Sequence, residues 1–223
     1  MGGYCVTYEE LKKDPSIRAF IQRADESLLA LGFTEHSFAH VGRVADVVRY
    51  ILETLDYPSH QVELAQMAAY LHDIGNLVNR IEHSQSGATM AFCILEKTDM
   101  PAEDIATIVT AIGNHDEGTG VPVNPVAAAL ILADKSDVRR SRVRNQDVST
   151  FDIHDRVNYS VVHSDLTIDK ENKTITLQLG VDPHYSSVMD YFEIFLERMI
   201  LCRKAAESLA LQFKLIINGQ PLI

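Results

Sequence analysis

The stretch AAYLHDIGNL, residues 68–77, sets His72 and Asp73 side by side in a run whose neighbours read as the inside of a helix. An imidazole and a carboxylate taken out of water are costly unless they are paired or hold a metal. Metal-capable side chains recur through the first two thirds of the chain, where His36, His40, His83, His115, Asp116, Asp134 and Asp137 join that pair. Six of the nine, His40, His72, Asp73, His83, His115 and Asp134, fall in or at the ends of segments with apolar faces, so helices can carry them to one point. Imidazoles offer directional nitrogen donors to transition metals, and a carboxylate adds charge and can bridge two ions. Adjacent side chains on a helix diverge by ~100°, so a metal near the helix end can take both His72 and Asp73 while the aspartate reaches a second ion.

The elements that must position these groups read as helix after helix. Thr7 with Glu10 forms a capping box, Pro15 opens a second helix and Gly32 stops it. Positions 37–56 follow with Phe38, Val41, Val44, Val48, Ile51 and Leu55 at helical spacing. Ser59 is placed to cap the helix that carries His72 and Asp73, and further helices are expected over 84–97, 101–113 and 125–139, the last opened by Asn124 and Pro125.

The pattern changes after about residue 150. SVVHSDLTID and TITLQLGV alternate and are β-branched, with DKEN between them as a turn, so 160–181 reads as a hairpin. An amphipathic helix is expected from about 186 to 208, and LQFKLIING reads as a third strand. The expected fold is mostly α: a helical metal-binding domain over 1–150 and a small ββαβ appendage over 151–223. A hairpin leaves open edges, so the appendage is expected to dock on the helical body or to pair in a homodimer.

A formal charge of −11 repels polyanions, which argues against general binding of nucleic acid or anionic membranes. DKSDVRRSRVR, residues 134–144, gathers Lys135, Arg139, Arg140, Arg142 and Arg144, either as a solvated basic face or as a phosphate contact. Apolar runs such as PVAAALILA fall short of the ~20 residues that span a bilayer, and MGGYCVTYEE lacks a signal design, so a cytoplasmic protein is expected. Cys5, Cys93 and Cys202 form no CxxC pair, against a disulfide framework or a thiolate zinc site.

HVGRVA at 40–45, LHDIG at 71–75 and LADKSD at 132–137 together resemble the HD-domain superfamily of metal-dependent phosphohydrolases, whose ligand order is H, then HD, then D on a helical bundle. The resemblance spans roughly residues 15–145. It implies that His40, His72, Asp73 and Asp134 bind a first ion, with Asp73 able to bridge. EHSQSGA at 82–88 and IGNHDEGTGVP at 112–122 are similar to the extra histidines of two-metal branches, including the HD-GYP cyclic-dinucleotide phosphodiesterases, which implies a second ion on His83 and His115. The chain departs from that branch at Asn76, Asn114 and Val121, which argues against cyclic di-GMP as substrate.

The implied activity is hydrolysis of a small phosphoester or nucleotide by a metal-activated water, with Asp73 bridging two divalent transition metal ions (iron, manganese, nickel, cobalt or zinc) and Lys135 meeting the phosphate. Two other classes share the ligands: oxygenases of the HD type that hold diiron, and regulators that sense nucleotides without catalysis. His60, His154, His163 and His184 lie outside the pattern, His36 reads as a loop histidine, Arg43 as the partner of a carboxylate, and Asp137 as a residue that orients a ligand or balances charge.

Overall fold

The computed structural model describes residues 6–223, and Cys5 lies outside them. The body opens with α1 (Tyr8–Leu11), α2 (Pro15–Ala30) and α3 (Phe38–Thr54). Local chemistry accounts for their limits. The Thr7 and Glu10 side chains cap each other's backbone N–H groups, at 3.2 and 2.9 Å. The Asp14 carboxylate accepts from the Ser16 and Ile17 N–H groups ahead of Pro15, and Gly32 ends the second helix at φ +82°, a conformation favoured by glycine.

The next helices are α4 (Ser59–Leu71), α5 (His83–Leu95), α6 (Ala102–Gly113) and α7 (Pro125–Ser136). Ser59 does not cap α4. It is already helical, and Pro58 precedes it without a side-chain cap. The helix also ends sooner than its apolar neighbours suggest: it stops at Leu71, His72 caps it, and a 3-10 turn over Ile74–Leu77 follows. Helix α7 is shorter than expected too, ending at Ser136, because Asp137 turns out of helical backbone to meet a cluster of arginines.

Two central helices, α4 and α7, form the middle of the bundle. From Leu64 to Leu71 every residue of α4 is buried, and so is every residue of α7 from Val126 to Ser136. Helix α3 packs on both, and α6 closes another side. No helix among the described residues is long and apolar enough to cross a membrane.

The C-terminal part begins with α8 (Ile153–Ser160), a helix absent from the sequence reading, capped by the Asp152 carboxylate on the Asp155 N–H at 2.8 Å. It leads into β1 (Val161–Asp169) and β2 (Thr174–Val181), the expected antiparallel hairpin. Helix α9 (Val188–Ser208) then crosses over to β3 (Gln212–Ile217), which lies parallel to β2, and a two-residue β4 (Gln220–Pro221) completes the sheet in the order β1-β2-β3-β4. Ile175, Leu177, Phe213 and Leu215 of the sheet are buried, as are Tyr191, Phe195, Met199 and Cys202 of α9, in a core continuous with that of the bundle. Two groups of β1 find partners on α3: the Ile168 N–H donates to the Tyr50 hydroxyl at 3.1 Å, and Arg43 donates to the Ser164 carbonyl at 3.1 Å. Helix α9 also packs along α7, which brings its central turn above the end of the bundle where His72 and Asp73 emerge.

Candidate metal centre

Five elements converge there. His40 stands in the first turn of α3, His72 and Asp73 follow the last residue of α4, His83 opens α5, His115 lies just beyond α6, and Asp134 sits in the last turn of α7. All six side chains are buried. The approach of α5 depends on Gly75: a Cβ there would stand 1.9 Å from the His83 carbonyl oxygen and 2.5 Å from the Gly87 nitrogen, so only glycine lets the 3-10 turn touch α5. That contact carries His83 to Asp73.

Each of the four histidines commits its Nδ1 to an acceptor. The partners are the Asp137 carboxylate for His40 at 2.7 Å, the Ala69 carbonyl for His72 at 2.7 Å, the Arg80 carbonyl for His83 at 3.1 Å and the Ile112 carbonyl for His115 at 2.6 Å. Since those partners can only accept, each ring in its neutral form carries its proton on Nδ1 and turns its Nε2 lone pair toward the centre. His40 Nε2 and His72 Nε2 are buried and have no hydrogen-bond partner. His83 Nε2 and His115 Nε2 stand 3.2 Å apart with no proton to share.

Asp73 divides its two oxygens. Oδ2 lies 3.5 Å from His40 Nε2 and 3.3 Å from His72 Nε2, whereas Oδ1 lies 3.6 Å from His83 Nε2. Asp134 Oδ1 adds a donor 3.3 Å from His40 Nε2 and 3.7 Å from His72 Nε2. Two donor groups suited to a metal result, His40 with His72 and Asp134, and His72 with Asp73 and His115; His83 belongs to neither group and meets the second through Asp73 Oδ1 and, at 3.2 Å, His115 Nε2.

Charge at the centre tells the same story. Burial raises the pKa of Asp134, but Lys135 and the histidines outweigh it and hold the carboxyl well below its usual range. Burial opposes Asp73 in the same way and His72 overcomes it. Burial also disfavours charge on His72, yet Asp73 and Asp134 outweigh it and raise its pKa to about 10. The two carboxylates therefore favour positive charge beside His72 Nε2, which lies 3.3 Å from Asp73 Oδ2 and 3.7 Å from Asp134 Oδ1. A cation bound by several donors satisfies the same demand. Burial keeps His115 neutral, as a metal ligand must be.

The sequence pattern of the HD domain family matches residues 37–156, more than half of the chain. This chain belongs to the HD-domain family. HD domains generally bind divalent metals, and the donor set described above fits that chemistry. The uncharacterized protein MJ1020 of Methanocaldococcus jannaschii is 27% identical over 61% of this HD protein, which in turn covers 61% of the relative's length. Among solved structures, a predicted HD superfamily hydrolase from an uncultured Thermotogales bacterium aligns with 59% of this chain and 73% of its own, at 22% identity and a TM-score of 0.43.

Around the HD centre the remaining side chains sort by partner. Lys135, expected at a phosphate, is buried among carboxylates instead: its Nζ lies 2.7 Å from Asp134 Oδ2, 3.2 Å from Glu117 Oε2 and 4.0 Å from Asp116 Oδ1. It therefore orients Asp134. Asp137 orients His40 and is held in turn by Arg43, Arg139 and Arg142. His36 is a half-buried loop residue whose ring packs against that of His40 with centroids 5.5 Å apart, and it lies outside both donor groups. His60, His163 and His184 pair with Asp104, Asp165 and Asp182 on the surface, and His154 lines the rim of the cavity.

That cavity, about 800 Å³, opens above Asp73 and Asp134 between the bundle and the C-terminal part. Sequence reasoning missed Glu117, Arg80 and Arg198 in its lining. Arg198 donates to Glu117 at 2.8 Å from an element 81 residues away. Its one sequence signal was an arginine next to the buried stripe of Phe195, Met199 and Cys202 on α9.

Proposed function

We propose that this HD protein is a metal-dependent phosphohydrolase that cleaves a small phosphoester or nucleotide. His40, His72, Asp73 and Asp134 would hold a first ion, and His83 and His115, with the other oxygen of Asp73, a second. The division of Asp73 between His40 and His72 on one side and His83 on the other is the observation that carries this reading. Nitrogen-rich donors favour iron, manganese, nickel, cobalt or zinc over magnesium, which prefers oxygen.

Bound there, such ions lower the pKa of a water and offset charge on phosphoryl oxygens. The chain's own residues do the rest. Asp137 keeps the His40 lone pair aimed inward, Lys135 leaves Asp134 Oδ1 turned toward the histidines, and Asn76 donates to Asp73 Oδ1 at 2.9 Å. The cavity above the centre is large enough for a small organic phosphate, and α9 forms one of its walls. The net charge of −11 supports a small substrate over a polyanion.

The test is metal analysis of protein purified without added metal, joined to a screen of phosphomonoesters, phosphodiesters and nucleotides for released phosphate. The expected result is about two transition metal ions per chain and turnover that His72→Ala abolishes while the helical fold remains. Oxygen uptake without phosphate release would replace hydrolysis by redox chemistry.

A further inference from the structure

The cavity above the centre is lined by four permanently or commonly cationic side chains, and their partners separate them. Lys135 is surrounded by Asp134, Glu117 and Asp116. Arg198 is paired with Glu117. Arg142 donates to the Asp137 and Glu35 carbonyl oxygens at 2.8 and 2.9 Å and lies 3.8 Å from the Asp137 carboxylate. Arg80 differs from all three: among the described residues its side chain meets only a neutral acceptor, the Asn76 amide oxygen, at 3.3 Å.

Its position is also set on both sides. The Asn76 amide that accepts from Arg80 donates to the Asp73 carbonyl and carboxylate, each at 2.9 Å. The Arg80 carbonyl accepts from His83 Nδ1 at 3.1 Å. Arg80 is thereby tied by its head to the neighbour of Asp73 and by its backbone to His83, and its guanidinium packs over the Phe33 ring, 5.7 Å from the centroid. A guanidinium stacked on one face keeps its N–H edge free for an anion, and its planar fork matches two oxygens of a phosphate.

Resting on the phosphoester reading above, we propose that Arg80 is the residue that grips the phosphoryl group of the substrate, the role sequence reasoning gave to Lys135. The geometry selects a terminal phosphate or a phosphate with two unshared oxygens, held between Arg80 and the metal centre. Phe33 and Leu31, half to largely exposed beside it, supply an apolar wall for the organic group.

The experiment titrates orthophosphate into manganese-loaded protein by calorimetry, with ion content and p-nitrophenyl phosphate hydrolysis measured on the same samples, for wild type, Arg80→Gln and Arg80→Lys. Loss of a charge-assisted contact weakens phosphate binding about tenfold to a hundredfold. Arg80→Gln should show that loss with ion content unchanged and a raised KM, and Arg80→Lys should recover part of it, since the charge stays and the fork does not. Unchanged phosphate affinity in Arg80→Gln overturns the assignment. Loss of ions in Arg80→Gln overturns it as well, because Arg80 would then act through Asn76 on Asp73. An ion-replete wild type that neither binds phosphate nor cleaves the ester overturns the phosphoester reading together with the grip, whereas a wild type that does both beside an unimpaired Arg80→Gln overturns the grip alone.

Discussion

His83 and His115 face each other through Nε2 atoms 3.2 Å apart, and each has already given its ring proton to a backbone carbonyl, Arg80 in one case and Ile112 in the other. Two nitrogen lone pairs at that distance repel unless a cation lies beside them. His83→Ala and His115→Ala should each lower the ion content from about two per chain to about one and remove most of the hydrolytic activity, with elemental analysis and phosphate release as the readouts. Full ion content in both variants would sink the second-ion assignment.

Asp137 holds the other end of the donor set. Its carboxylate is buried and accepts from His40 Nδ1, and partners that orient a ligating histidine typically alter metal affinity by ~10- to 100-fold. Asp137→Asn keeps the size but weakens that hold and the pairing with Arg43, Arg139 and Arg142, so affinity is read on the folded fraction. We expect metal affinity to fall within that range in a competition with a chelator, and an unchanged affinity would reduce Asp137 to a partner for the arginines.

Gly75→Ala should damage the centre without touching a donor. The new Cβ would meet backbone atoms of His83 and Gly87, neither of which is the far end of a flexible side chain. Overpacking of this kind costs ~1–3 kcal/mol, and backbone on both sides puts this case at or above the upper end. A lowered melting temperature together with loss of the His83 ion is the expected pair of results. A variant as stable as wild type, with full ion content, would show that the turn and α5 can separate freely.

The two cysteines within the described residues should react differently. Cys202 is buried on α9, and burial pushes its thiol up to about 12, so the reactive thiolate is scarce at pH 8. Cys93 is exposed. Iodoacetamide at pH 8 should label Cys93 within minutes and spare Cys202 until denaturant is added, as read by peptide mass spectrometry. Equal labelling of the folded protein would place α9 in frequent local opening.

Much of this molecule could be read from residue types and their order. Thr7, Asp14, Pro15, Gly32, Asn124 and Pro125 mark helix limits because capping and backbone restriction act within a few residues. The hairpin and the amphipathic α9 announced themselves by period for the same reason. The six candidate donors, which the fold buries together, were named from histidines and aspartates set among apolar neighbours.

The rest depends on distances between parts of the chain remote in sequence. The close approach of the turn at Gly75 to α5 joins parts of the chain that no local pattern pairs, and α8, a polar helix of eight residues, is too short to repeat its period. Nothing local could say that Lys135 would be surrounded by carboxylates, since Glu117 comes from the loop after α6 and is shared with Arg198 of α9. Sequence names the groups that can carry charge or donate to a metal. Which lone pairs are left facing one another, and which cation is left without a carboxylate, is set by packing across the chain, because pairing energies depend on separations of a few ångströms that no local pattern encodes.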